Sequence, residues 1–129
     1  MHKELIISIV IIIAIFVANY ITQNYTNYSI LIISQSLNEI RENVKVEEVD
    51  NEKVIELANL VHGKWEDVRE KLACYLEHDE LEKIETELTS ILSYVEKEEY
   101  ADALASVDRG AYILKHLKEK EQLTLINIF

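Results

Sequence analysis

Apolar side chains fall along the chain in one continuous run followed by four periodic ones. The continuous run, Leu5 to Ile21, reads LIISIVIIIAIFVANYI, with Ser8 and Asn19 its only strongly polar side chains. As a helix rising about 1.5 Å per residue it is roughly 25 Å long, close to the minimum for a bilayer core. The next charge after Glu4 is Glu39, so Thr22 to Ser29 can carry the helix through the headgroup region at little cost. Tyr20, Tyr25 and Tyr28 then stand where an interfacial aromatic belt belongs.

The periodic runs have helical spacing. Ile33, Leu37, Ile40 and Val44 lie four, three and four apart, marking a helix that runs on from the apolar segment. Val54, Ala58, Val61, Trp65, Val68, Leu72 and Tyr75 keep the same alternation, which puts one face inward. That stripe passes Gly63 without changing phase and predicts one long helix, since an interior glycine costs only about 1 kcal/mol against alanine. Leu81, Ile84, Leu88, Ile91 and Val95 form the third stripe, and Tyr100, Leu104, Val107, Ala111 and Leu114 the fourth. Asp79-Glu80-Leu81-Glu82 has the shape of a capping box, with Asp79 as N-cap and Glu82 reaching back. A break is expected near Lys97 to Glu99. The apolar tail Leu123 to Phe129 is expected to fold back onto the helices rather than meet water.

These elements predict an all-α chain: a single N-terminal transmembrane helix followed by an antiparallel helical bundle, because short connections make consecutive helices antiparallel neighbours. An α-hairpin repeat-like array is the alternative, since Glu52 to Val61 and Glu98 to Val107 have similar apolar spacing. The expected division is a membrane anchor and interfacial segment at 1–28 and an acidic helical bundle with its tail at 29–129.

Composition strengthens the helical reading, for proline is absent and glycine occurs only at Gly63 and Gly110. The formal net charge is -11, and every acid except Glu4 lies between Glu39 and Glu121. The densest stretch, Glu77 to Asp108, holds eleven acids against Lys83 and Lys97. Such a surface repels phosphate backbones and anionic lipid headgroups, so nucleic acid is not expected as a partner; it reads as a solvated face, or as one that takes a basic partner or cations. Cys74, the only cysteine, cannot form an internal disulfide. Among Leu72, Ala73, Tyr75 and Leu76 it reads as a buried thiol, with an intermolecular bridge as the alternative.

Charge also bears on orientation. The amino terminus and Lys3 flank one end of the apolar run, and the other end has no Lys or Arg until Arg41. That asymmetry predicts a cell-membrane protein with a cytoplasmic N-terminus and an extracytoplasmic C-terminal domain. A cleaved signal peptide would need small residues at −3 and −1. Phe16-Val17-Ala18 offers Phe at the first of them, so the segment is expected to stay attached.

Candidates for chemistry are sparse. His62 with Glu66, and His78 with Glu82, are i,i+4 pairs that put a nitrogen and an oxygen on one helical face, short of the three or four ligands zinc requires. HExxH, CxxC and calcium-loop patterns are missing. Ser34, Ser36, Ser90, Ser93 and Ser106 sit in no nucleophile elbow, and no glycine-rich loop could cradle phosphate. Trp65 reads as core filling. No catalytic, metal-binding or cofactor-binding residue is assigned, and the chain is expected not to be an enzyme.

The Ile-rich run ending near Thr22-Gln23-Asn24-Tyr25, the helix carrying Trp65, the junction Glu77-His78-Asp79-Glu80-Leu81 and the ending Leu123-Thr124-Leu125-Ile126-Asn127-Ile128-Phe129 together resemble a bacterial family of small membrane-anchored proteins, domain of unknown function family 4363. The family junction reads Asp-His-x-Glu-Ile and its ending has an acid before the Asn. Glu77, Leu81 and Ile126 are the departures here. The resemblance implies a bacterial setting and an anchor, and no functional residue. The reading that follows is an accessory or protein-interaction domain held in the lipid bilayer through Leu5 to Ile21, with another membrane or envelope protein as partner. An extracytoplasmic cation- or metal-binding helical domain is the alternative.

Overall fold

The computed structural model of the chain describes the backbone of residues 2–128 and the side chains of residues 2–121. Four helices follow one another: α1 His2–Val44, α2 Asn51–Leu72, α3 His78–Glu96 and α4 Tyr100–Ile128. With no strand among the described residues, the chain is all-α. α1 contains neither glycine nor proline and runs unbroken for 43 residues, a length of about 65 Å. Its apolar first half and its amphipathic second half are therefore one rod.

α1 packs on α2 and α4, and α3 packs on the same two, while the diagonal pairs stand apart. α4 thus returns to the side of α1 and closes a four-helix ring, which rules out an open hairpin array. The core begins at Thr26 and Ile30 on α1 and continues through Ile33, Leu37, Ile40 and Val44. All five positions of the α3 stripe are buried, as are Val54, Ala58, Val61, Trp65 and Leu72 of α2. Asp50 caps α2, its carboxylate accepting from the Lys53 N–H at 3.3 Å. Gly63 lies inside α2 with no positive φ, so the long helix is continuous there.

Several positions differ from the sequence expectation. α2 ends at Leu72, and the N–H groups of Cys74 and Tyr75 bond three residues back, to Lys71 and Leu72. This tighter turn loses the heptad phase. Tyr75 swings out to 43% exposure, Leu76 is buried in its place, and the Cys74 thiol is exposed rather than buried. The N-cap of α3 is Glu77, whose side chain makes no cap hydrogen bond; Asp79 lies in the first turn, and Glu82 meets His78 rather than a backbone N–H. On α4 the buried side is Ala103, Ser106, Val107, Gly110, Leu114 and Leu117, with Leu104 and Ala111 only half-buried. Small residues let α1 come close: a Cβ on Gly110 would stand 3.4 Å from Leu37 Cδ1. The break between α3 and α4 falls where expected, with Glu98 at φ 59°. The tail side chains Leu123 to Phe129, expected to fold back, lie outside the described residues.

Candidate interaction surface

Some of the acids between Glu77 and Asp108, namely Glu77, Glu85, Glu87 and Asp108, brace neighbouring helices. Arg109 donates to Glu87 at 3.0 Å between α4 and α3, and Arg69 meets Glu85 at 3.2 Å between α2 and α3. Arg41 of α1 pairs with Asp108 of α4, and Lys120 meets Glu77 at 3.2 Å. Each pair ties neighbouring helices and fixes their register. The Glu87 carboxylate, with 15% of its side chain exposed, holds the Arg109 guanidinium protonated above its ordinary range. Tyr100 closes the end away from the apolar segment, its hydroxyl donating to Asn51 Oδ1 at 2.7 Å; burial and then Glu98 raise its pKa. Burial also raises the Glu121 carboxyl, against the opposing pull of Lys120.

The two histidine pairs form as their spacing dictates, His62 Nδ1 to Glu66 at 3.4 Å and His78 Nε2 to Glu82 at 2.9 Å. They sit on different helices and recruit no further ligand. Among the described residues no three His, Cys, Asp or Glu side chains come together to hold a metal ion. Trp65 is fully inside the core, as the stripe requires, and its indole N–H has no hydrogen-bond partner. Ser36 and Ser106 are bound into the bundle, Ser36 accepting from Lys64 at 3.2 Å and Ser106 from Arg109 at 2.9 Å.

The surface least like the rest is α1. From Leu5 to Ile21 its large apolar side chains are exposed on every side, Leu5 at 61% and Ile21 at 59%. This is the one stretch among the described residues long and apolar enough to cross a membrane. Past it, the bundle covers one side of α1 and leaves the other bare. Tyr20, Asn24, Tyr28, Leu31 and Gln35 recur at three- and four-residue spacing opposite the buried Thr26, Ile30, Ile33 and Leu37. Tyr28 is 62% and Leu31 55% exposed. Running back, the same arc takes in Val17, Ile13, Val10 and Ile6, so an uncharged stripe extends unbroken from the apolar segment up the flank of the bundle. The outer faces of α2, α3 and α4 carry charge on most turns.

Tyr20, Tyr25 and Tyr28, expected as one interfacial belt, do not share a face. The structure separates them: Tyr25 is half-buried beneath Lys71, whose Nζ stands 5.5 Å from the ring centre, while Tyr20 and Tyr28 face out. The signal for the stripe was the absence of charge from Glu4 to Glu39, far longer than the roughly 20 residues a bilayer needs.

The family model for a domain of unknown function (DUF4363) matches residues 20–128. The match opens at Tyr20, where the exposed apolar segment gives way to the bundle, and covers all of α2 and α3. No curated protein and no solved structure matches the chain significantly.

Proposed function

The chain belongs to the DUF4363 family, and we propose that it is a membrane-anchored interaction module without catalytic activity of its own. The observation that carries this reading is the continuity of α1. One helix exposes apolar side chains all round over Leu5 to Ile21 and then becomes a wall of the bundle. A bundle joined to its anchor without a flexible linker is held close to the bilayer at a set height. The charge asymmetry around the apolar run supports a cytoplasmic N-terminus and a bundle on the outer side of the cell membrane.

The partner in this reading is another membrane or envelope protein, docking a helix along Tyr20, Asn24, Tyr28, Leu31 and Gln35. Uncharged surface carrying exposed aromatics suits the centre of an interface better than a charged face does. Against the cation-binding alternative, Glu77, Glu85, Glu87 and Asp108 are already engaged with arginines and Lys120. Site-specific photocrosslinking in native membranes tests the proposal. A photoreactive residue at Leu31 is expected to give one discrete adduct with a membrane protein, and the same residue at Lys83 on α3 to give none. Equal yields at the two positions would overturn it.

A further inference from the structure

The α2–α3 turn lies at the same end of the bundle as the apolar segment, and its height above that segment follows from two side-chain contacts. Lys64 Nζ donates to Ser36 Oγ at 3.2 Å, and Lys71 Nζ lies 5.5 Å from the centre of the Tyr25 ring. Together they fix the antiparallel register of α1 and α2, and Cys74 falls level with residues 22–26 of α1. At about 1.5 Å per residue, that is roughly 2 to 8 Å beyond Ile21. The headgroup layer on each side of a bilayer is about 5 to 8 Å thick, taking a total of about 40 to 45 Å less a core of about 30 Å. The turn and the layer occupy the same height. A tilt of about 20°, acting on a turn about 9 Å from the α1 axis, moves it by about 3 Å, less than the thickness of the layer. A span roughly 5 Å below the full core is met by local thinning of the bilayer, which keeps the headgroup layer beside Thr22 and its neighbours, and beside the turn.

The chemistry of the turn suits that position. Ala73, Cys74 and Tyr75 are exposed and uncharged, between Lys71 and Glu77, and Tyr75 is 43% exposed with Leu76 buried behind it as a fixed point. Tyrosine is favoured at the headgroup level, where its ring meets acyl chains and its hydroxyl meets water. We infer that the Ala73–Glu77 turn is a second membrane contact, seated in the lipid headgroup layer beside the anchor. This rests on the reading of Leu5 to Ile21 as a bilayer span. With two contacts on different helices, the bundle can neither rotate about nor tilt freely on its anchor, which fixes the side that α1 offers to a partner.

Cys74 is the only thiol in the chain, so an environment-sensitive fluorophore can be attached to the intact protein without altering the sequence. The labelled chain is reconstituted in phosphatidylcholine vesicles containing a headgroup-nitroxide lipid. The comparison is a chain with Cys74→Ser and Glu47→Cys, which puts the probe on the exposed loop at the far end of the bundle. Quenching by the nitroxide lipid is expected to be several-fold stronger at position 74 than at 47, and quenching by a water-soluble agent weaker at 74. Equally weak lipid quenching at both positions, in protein that floats with the vesicles, would overturn the seating and leave the anchor standing. Protein that fails to float would overturn both. Position-74 emission that changes with protein dilution but not with nitroxide lipid would show the turn covered by a second copy of the chain, and would also overturn the inference.

Discussion

Replacing Gly63 by alanine should stabilise the bundle, and the size of the gain can be worked out from its surroundings. A Cβ built at Gly63 meets nothing within 4 Å, and its φ is not positive. Alanine there meets neither a clash nor backbone strain. The methyl lies on open surface, so burial adds nothing and only the backbone contribution remains. An interior helical glycine is about 1 kcal/mol worse than alanine, and the gain through reduced entropy of the unfolded chain is about 0.4 to 1 kcal/mol. The expected stabilisation is about 0.5 to 1 kcal/mol, or about 2 to 8 °C in melting temperature for a domain of this size. Thermal unfolding of the intact chain in detergent micelles, followed by emission of the buried Trp65 two residues away, measures it. A loss of stability would refute the reasoning, for it would mean that Gly63 breaks α2 rather than continuing it.

Other substitutions test other parts of the account. Trp65→Ala should cost about 3 to 5 kcal/mol, and Trp65→Phe much less, because the indole N–H it deletes has no partner to lose; denaturant titration separates them. Arg109→Met should destabilise by leaving the largely buried Glu87 carboxylate unpaired, and adding Glu87→Gln should recover part of the loss in the same assay. For Glu121 the folded chain holds the proton more tightly than the unfolded one, so ionisation at neutral pH opposes folding. Its contribution improves as pH falls from above the raised folded pKa towards the ordinary 4.5. Glu121→Gln should therefore melt higher at pH 7, with its advantage over the unaltered chain narrowing as pH approaches 4.5. Finally, a Glu47→Cys thiol in a Cys74→Ser chain should react with a membrane-impermeant reagent on intact cells; labelling only after lysis would reverse the orientation.

Spacing alone reveals the helices because the α1 and α3 stripes are built from large aliphatic side chains at regular intervals and the α2 stripe keeps the same spacing with Ala58 and Trp65 among its aliphatics. The α3 stripe, Leu81 to Val95, is buried at every position that the periodicity named. Hydropathy spacing does not mark the buried face where size, not polarity, selects it. Ala103, Ser106 and Gly110 are on the buried face of α4, Gly110 within van der Waals reach of Leu37 on α1, and small residues carry little hydropathy signal for that. Spacing fails again after Leu72, where a tighter turn ends the heptad and turns Cys74 and Tyr75 outward. Asp79 showed that a capping pattern states which hydrogen bond is possible, not which residue starts the helix. The uncharged stripe on α1 could be read in advance as a gap in charge. Which side of the helix stays bare required knowing where α2 and α4 pack, and that depends on contacts far apart in sequence.

As an anchor, α1 remains part of the protein. Membranes from cells producing the chain can be washed with alkaline carbonate, and the mass of the protein measured in pellet and supernatant. The whole 15.0 kDa chain is expected in the pellet, with Leu5 to Ile21 intact. A shorter chain in the supernatant, cut within or just after that segment, would contradict this.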